Sequence, residues 1–156
     1  MRNLITDIAG LRVGHAHDPA VASGVTAIIV DVDNVASAVT RGGAPGSRDT
    51  ALLEPEMSAV GVNAVLLSGG SLFGLDAAGG VIGHLHEQGV GVPIGSIKIP
   101  IAVQAITFDL LNGGDKDWGR YPPYRELGYE AMQAAASDFA IGSAGAGTGA
   151  LTAGLK

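Results

Sequence analysis

Cysteine is absent from this 156-residue chain, so disulfides and thiolate chemistry are excluded. Aromatic residues are scarce at 4%, so a core must be built from Ala, Val, Leu and Ile. Charged residues make up only 15%, and their balance is acidic, with a net charge of -6 and a pI near 5.0. Such a chain has no electrostatic footprint for nucleic acid or an anionic membrane. No apolar run reaches the length of a membrane span. The start, Met1-Arg2-Asn3-Leu4-Ile5-Thr6-Asp7, lacks the apolar stretch of a signal peptide. A cytoplasmic, soluble protein is the expectation.

What the chain has in abundance is small residues. Its 25 glycines and 7 prolines together make up about a fifth of the chain, against roughly an eighth in average usage, and the excess is glycine. Hydrophobic residues reach 47%, which marks a globular chain rather than a disordered one. The length suits one domain, residues 1–156.

The pattern predicts interleaved strands and helices. Residues 11–15 read as a strand. Residues 25–32 and 35–39 are β-branched runs, with Asp33-Asn34 placed as a hairpin turn between them. A glycine-rich loop covers 41–49, and a short helix is expected near 52–57. Residues 63–67 form a buried-type strand that enters Ser68-Gly69-Gly70-Ser71 and then a helix over 72–88. Ala77, Val81 and Leu85 mark that helix's buried face. A further strand lies within 99–111. Pro122-Pro123 opens a helix running to about residue 136, and 139–141 read as a last strand.

The sharpest local feature is the strand, Ser68-Gly69-Gly70-Ser71, helix sequence. Such a turn can present backbone N–H groups to a carboxylate, phosphate or oxyanion. It reads equally as a plain turn, with Ser71 as a helix cap. It is neither a Walker A nor a GxGxxG motif. The paired histidines, His15 with His17 and His84 with His86, lack a carboxylate cluster to complete a ligand set, so no metal is expected. No cofactor motif is present. Glu54 with Glu56 and Asp115 with Asp117 read as solvated acids, and no GxSxG elbow occurs.

Six stretches in order resemble the P1-type peptidases, the family of L-aminopeptidase/D-esterases, β-peptidyl aminopeptidases and the nylon-oligomer hydrolase. They are Thr6-Asp7 with Gly10-Leu11-Arg12-Val13-Gly14-His15; Gly24-Val25-Thr26; Arg41-Gly42-Gly43-Ala44-Pro45-Gly46; Asn63-Ala64-Val65 with Ser68-Gly69-Gly70-Ser71 and Phe73-Gly74-Leu75-Asp76-Ala77; Phe108-Asp109-Leu110; and Gly145-Ala146-Gly147-Thr148-Gly149-Ala150 with Gly154-Leu155-Lys156.

The resemblance implies an α+β fold, a layered α/β/β/α sandwich resembling N-terminal nucleophile hydrolases with different connectivity and incomplete in this chain. It implies a precursor that cleaves itself before a Ser or Thr, whose freed hydroxyl then attacks amides. That nucleophile and an oxyanion asparagine are expected beyond Lys156, on the remaining C-terminal segment of the same precursor. This chain is then the N-terminal, large-subunit part of an amidohydrolase or aminopeptidase, inactive alone. The expected substrates are aminoacyl amides, small peptides or ω-amino-acid oligomers.

Lys156 matches the family's active-site lysine. Gly69, Gly70 and Ser71 are expected at the substrate, as is Phe108 on a strand over 101–110. Ile106 stands where β-peptidyl aminopeptidases carry an amine-binding glutamate, which argues against that specificity. A mean hydropathy of +0.33 adds the expectation of a homo-oligomer. The alternative from another class is a non-catalytic α/β module holding a small anion at Ser68-Gly69-Gly70-Ser71.

Overall fold

The computed structural model describes residues 2–59 and 61–152. Its main sheet has five strands in the order β1-β2-β4-β7-β3. These are β1 (Leu11–Asp18), β2 (Ser23–Val30), β3 (Ser47–Arg48), β4 (Ala64–Ser68) and β7 (Ala102–Ile106). A separate hairpin joins β5 (Val92–Ile94) to β6 (Ile97–Ile99). Strands β4 and β7 are parallel, whereas the pairs β1–β2, β2–β4 and β3–β7 are antiparallel.

The register shows which side chains share a face. Val25, Ala27 and Ile29 of β2 lie beside Ser68, Leu66 and Ala64 of β4, and Ala64 lies beside Ala102 of β7. This row packs under two helices, α1 (Ala77–Glu87) and α2 (Tyr124–Gln133). Ala77, Val81 and Leu85 are buried as their four-residue spacing requires. Few aromatics are needed because the layers approach closely. A Cβ on Gly80 would lie 1.9 Å from the Arg125 carbonyl oxygen, and one on Gly14 would lie 1.9 Å from that of Ala131. Glycine there lets α1 meet α2 and lets α2 lie on β1.

Several expected elements differ. Residues 35–39 form no strand, and Asp33-Asn34 is not a hairpin turn. The hairpin partner of β2 is β1, joined through residues 19–22, where Asp18 accepts the Ala20 N–H at 2.8 Å. With β1 and β4 on its two edges, β2 has no place for a third partner. The helix expected near 52–57 is a 3-10 turn at Thr50–Leu53. The long helix begins as a 3-10 turn, Ser71–Asp76, and α2 stops at Gln133 rather than near 136. Residues 139–141 are irregular. They are anchored by side chains instead.

That anchor is His15. Thr26 Oγ1 accepts the Ala146 N–H at 3.1 Å and lies within hydrogen-bond distance of His15 Nδ1, at 2.9 Å. The Ala140 carbonyl can only accept, so His15 Nε2 donates to it at 3.0 Å. Both ring nitrogens of His15 are engaged, and among the described residues no group of His, Asp and Glu is placed to hold a metal.

The helices cover one face of the sheet. The other carries Ile28, Val65, Leu67, Val103 and Ala105. Val103 is buried with Leu53 and Val62, but Leu67 is 43% exposed and Ala105 is exposed. The described residues thus supply one helical layer and one main β layer, an α+β arrangement with an open strip on the sheet. No described helix is long and apolar enough to cross a membrane.

Candidate active site

The parallel pair β4–β7 sends two segments off the same end of the sheet. In open sheets this is where ligands bind. The turn Ser68-Gly69-Gly70-Ser71 follows β4, and Thr107-Phe108-Asp109 follows β7. The segments are laced together: the Thr107 N–H donates to Ser68 O at 2.8 Å, and the Ser71 N–H donates to Thr107 O at 3.0 Å.

Asp109 is the centre of this arrangement. It is only 1% exposed. Its Oδ1 accepts the Gly70 N–H at 2.6 Å, and its Oδ2 accepts the Ser23 hydroxyl at 2.6 Å. Ser23 Oγ in turn accepts the Tyr124 hydroxyl at 2.9 Å. Burial, opposed by the hydrogen bond to Ser23 and aided by the charge of Asp109, pushes the Tyr124 phenol up to about 12. A buried chain thus runs from α2 through β2 to the turn, with every proton directed toward the carboxylate.

The turn's shape depends on this chain. Gly70 has φ +81°, and a Cβ there would lie 2.2 Å from the Tyr124 ring. A Cβ on Gly69 would lie 1.9 Å from Asp109 Oδ2. Ser71 also adopts a left-handed φ, +52°, which is uncommon for a residue with a Cβ. Gln104 clamps the other side: its Nε2 donates to Ser68 Oγ at 2.7 Å and Gly74 O at 2.6 Å, and its Oε1 accepts the Ala78 N–H at 3.3 Å.

Gly69, Gly70, Ser71 and Phe108 are therefore brought together. Phe108 lies two residues past β7, because that strand ends at Ile106 rather than reaching 110. With Asp109 turned inward, Phe108 is left 57% exposed, and Leu72 and Phe73, which follow the turn in sequence, are exposed as well. The N–H groups of Gly69, Gly70 and Ser71 are all donated within the fold, to Gly24 O, Asp109 and Thr107 O. An anion bound at the turn would have to compete with the buried Asp109 carboxylate. Lys156 lies outside the described residues.

Sequence reasoning missed Asp109, Ser23, Tyr124 and Gln104. The signal for two of them was present: Gln104 and Asp109 interrupt an apolar stretch, and a buried polar side chain there has to be hydrogen-bonded. Ser23 and Tyr124 carry no such signal, since their partners are 86 and 101 residues away in sequence.

The model of peptidase family S58 matches residues 3–156, so the chain belongs to that family. It is 43% identical over 162 residues to an uncharacterized aminopeptidase of Mycobacterium tuberculosis (strain ATCC 25618 / H37Rv). It is also 43% identical over 172 residues to one of Mycobacterium leprae (strain TN). Each match covers 99% of this chain but 46% of the relative, so the chain spans about half their length. Among solved structures it resembles a Burkholderia sp. β-aminopeptidase with a TM-score of 0.66 and 22% identity, over 96% of this chain and 43% of that one. It also resembles the l-aminopeptidase d-ala-esterase/amidase of Ochrobactrum anthropi, described as a new variant among the ntn hydrolase fold. There the TM-score is 0.64 and the identity 21%, over 96% of this chain and 45% of that one. At these identities the structural likeness establishes the fold. It is the fold that the six ordered stretches implied.

Proposed function

We propose that this chain is the N-terminal part of a self-cleaving amide hydrolase of the aminopeptidase type. Its substrates are aminoacyl amides, small peptides or ω-amino-acid oligomers. The observation that carries the reading is the paired turn at the ends of β4 and β7. Buried Asp109 holds it rigid, and it turns Phe108 outward beside Ser71. A rigid rim with one exposed aromatic suits positioning of an amide against a nucleophile delivered from elsewhere. Membership of a peptidase family and the aminopeptidase relatives support the same reading.

In this proposal the nucleophile, Ser or Thr, and an oxyanion donor lie on the remaining C-terminal segment of the precursor. The open strip of Leu67 and Ala105 is the ground that segment covers. Phe108 forms the substrate wall, Gly69 and Gly70 shape it, and Ser71 borders it. Lys156 serves the developing oxyanion or lowers the nucleophile's pKa. A cytoplasmic location and assembly into a homo-oligomer belong to the same proposal.

The test compares this chain alone with the full-length precursor on an aminoacyl p-nitroanilide. The chain alone should be inactive and the precursor active. Lys156→Met in the precursor should cost several powers of ten in kcat/KM with the fold intact. Unchanged self-cleavage and unchanged kcat/KM would falsify the role of Lys156. Turnover by this chain without a second polypeptide would overturn the placement of the nucleophile.

A further inference from the structure

Beside the paired turn, strand β3 brings one arginine to the helix-covered face of the sheet. Arg48 pairs with Gln104 of β7, and Ile106 follows on the same face two residues along. That face lies under the 3-10 turn Ser71–Asp76, because Gln104 reaches the Gly74 carbonyl there at 2.6 Å. The Arg48 guanidinium rests against the exit of this turn, where Nη1 donates to the Leu75 carbonyl at 3.4 Å. Its Nε donates to Asp49 Oδ2, also at 3.4 Å. Both contacts are longer than an ordinary hydrogen bond, and Nη2 has no partner among the described residues.

The other arginine at this turn is differently placed. Arg125 holds Asp76 through Nε at 3.2 Å and Nη2 at 2.6 Å, so its fork is filled. Arg48 has only the Asp49 carboxylate, which is half exposed and sits in a left-handed conformation, φ +57°. An ion pair that long and that open to water contributes little. A guanidinium offers parallel N–H groups that match a carboxylate, and here they are underused. Between Arg48 and Phe108 the side chains are apolar. Ile106 is half-buried and leans over Gly46, where a Cβ would lie 2.3 Å from its Cγ1, and Leu72 is 66% exposed.

We propose that Arg48 binds a free carboxylate at the end of the substrate's leaving group. The scissile amide lies at Phe108 and Ser71, as in the proposed function on which this inference rests. A 3-10 helix rises about 2.0 Å per residue, so Leu75, at the guanidinium, is about 8 Å from Ser71. An extended chain spans about 3.3–3.6 Å per residue, so a leaving group of two residues reaches that far. Ile106 and Leu72 contact the stretch between. The substrate class is a short peptide or ω-amino-acid oligomer with a free carboxyl end, and a blocked end is disfavoured. Arg48 takes no part in bond breaking; it sets which amides are held.

The test gives the full-length precursor trialanine as the free acid and as its carboxyl-terminal amide, and follows release of the dipeptide by mass spectrometry. The natural protein should cleave the acid about tenfold or more faster in kcat/KM, with the difference carried by KM. Arg48→Gln should bring the acid-to-amide ratio close to one, and Arg48→Lys should restore part of it. An arginine that only braces the turn would lower both rates alike and leave the ratio where it was. Equal rates on acid and amide in the natural protein, or a ratio that Arg48→Gln leaves intact, overturn the inference while the hydrolase reading stands. If Arg48→Gln misfolds, the ratio in the natural protein decides. Turnover of neither substrate also overturns the inference, and if an aminoacyl p-nitroanilide is not cleaved either, the hydrolase reading falls with it.

Discussion

Replacing Asp109 by alanine should be among the most damaging single changes to this fold. The substitution removes the acceptor of two buried donors, the Gly70 N–H and the Ser23 hydroxyl, each held at 2.6 Å. A buried donor left without a partner costs about 1–3 kcal/mol, and both are orphaned together. Relief of the carboxylate's own desolvation offsets part of this, so the expected loss is about 2–5 kcal/mol. Asp109→Asn should cost less, about 1–2 kcal/mol. Its oxygen can keep the Gly70 bond, while its amide must donate to a Ser23 oxygen that already accepts from Tyr124. The single tryptophan makes the assay local as well as global. Trp118 lies edge-on to Tyr124 at 5.9 Å and to Phe73 at 5.5 Å between ring centroids. Urea unfolding followed by its fluorescence and by far-UV circular dichroism gives the stability change. An alanine variant within about 0.5 kcal/mol of the parent, the range of ordinary surface substitutions, would refute the argument that this carboxylate holds the turn.

Three other outcomes are expected. The Tyr124 phenol, pushed up to about 12 from 10.0, remains protonated in the folded state where the unfolded chain ionises. The stability tied to it is therefore fully present below pH 10 and lost as pH rises toward 12. Alkaline unfolding of Tyr124→Phe should lack that component. Gly80→Ala gains up to about 1 kcal/mol of helix propensity, yet its Cβ would lie 1.9 Å from the Arg125 carbonyl. The net effect in thermal denaturation should be destabilising by about 1–3 kcal/mol. Phe108→Ala removes an exposed ring, so stability should change by less than about 0.5 kcal/mol. On the proposed function, kcat/KM of the full precursor should nonetheless fall about tenfold or more, a loss of at least about 1.4 kcal/mol in transition-state stabilisation. A normal kcat/KM would remove Phe108 from the substrate wall.

What was legible in the sequence follows from where the determining contacts lie. The row Ala77, Val81, Leu85 could be read because helix period and burial are local and agree. The strand β4 and the turn after it were legible for the same reason. The β-branched run at 35–39 misled, since propensity records suitability for a sheet and not the presence of a free edge beside it. The hairpin β5–β6 was available and overlooked: Gly95-Ser96 between Ile94 and Ile97 is a two-residue hairpin signal. The network of Asp109, Ser23 and Tyr124 was not legible. Its members come from three elements whose proximity exists only once the sheet has formed.

The two open apolar surfaces have different causes. The strip of Leu67 and Ala105 lies on a sheet whose other face is already buried, with strand pairing complete on both sides of β4. Its backbone donors and acceptors are satisfied, so only side chains remain to be covered, and a broad packed layer suits it. The hairpin β5–β6 has two strands, and each has an outer edge without a ladder partner among the described residues. Such an edge is a liability when left exposed. Type II′ turn chemistry keeps this hairpin formed, and Pro93 removes one donor from its outer edge. With that edge blunted, addition of a further strand there is disfavoured.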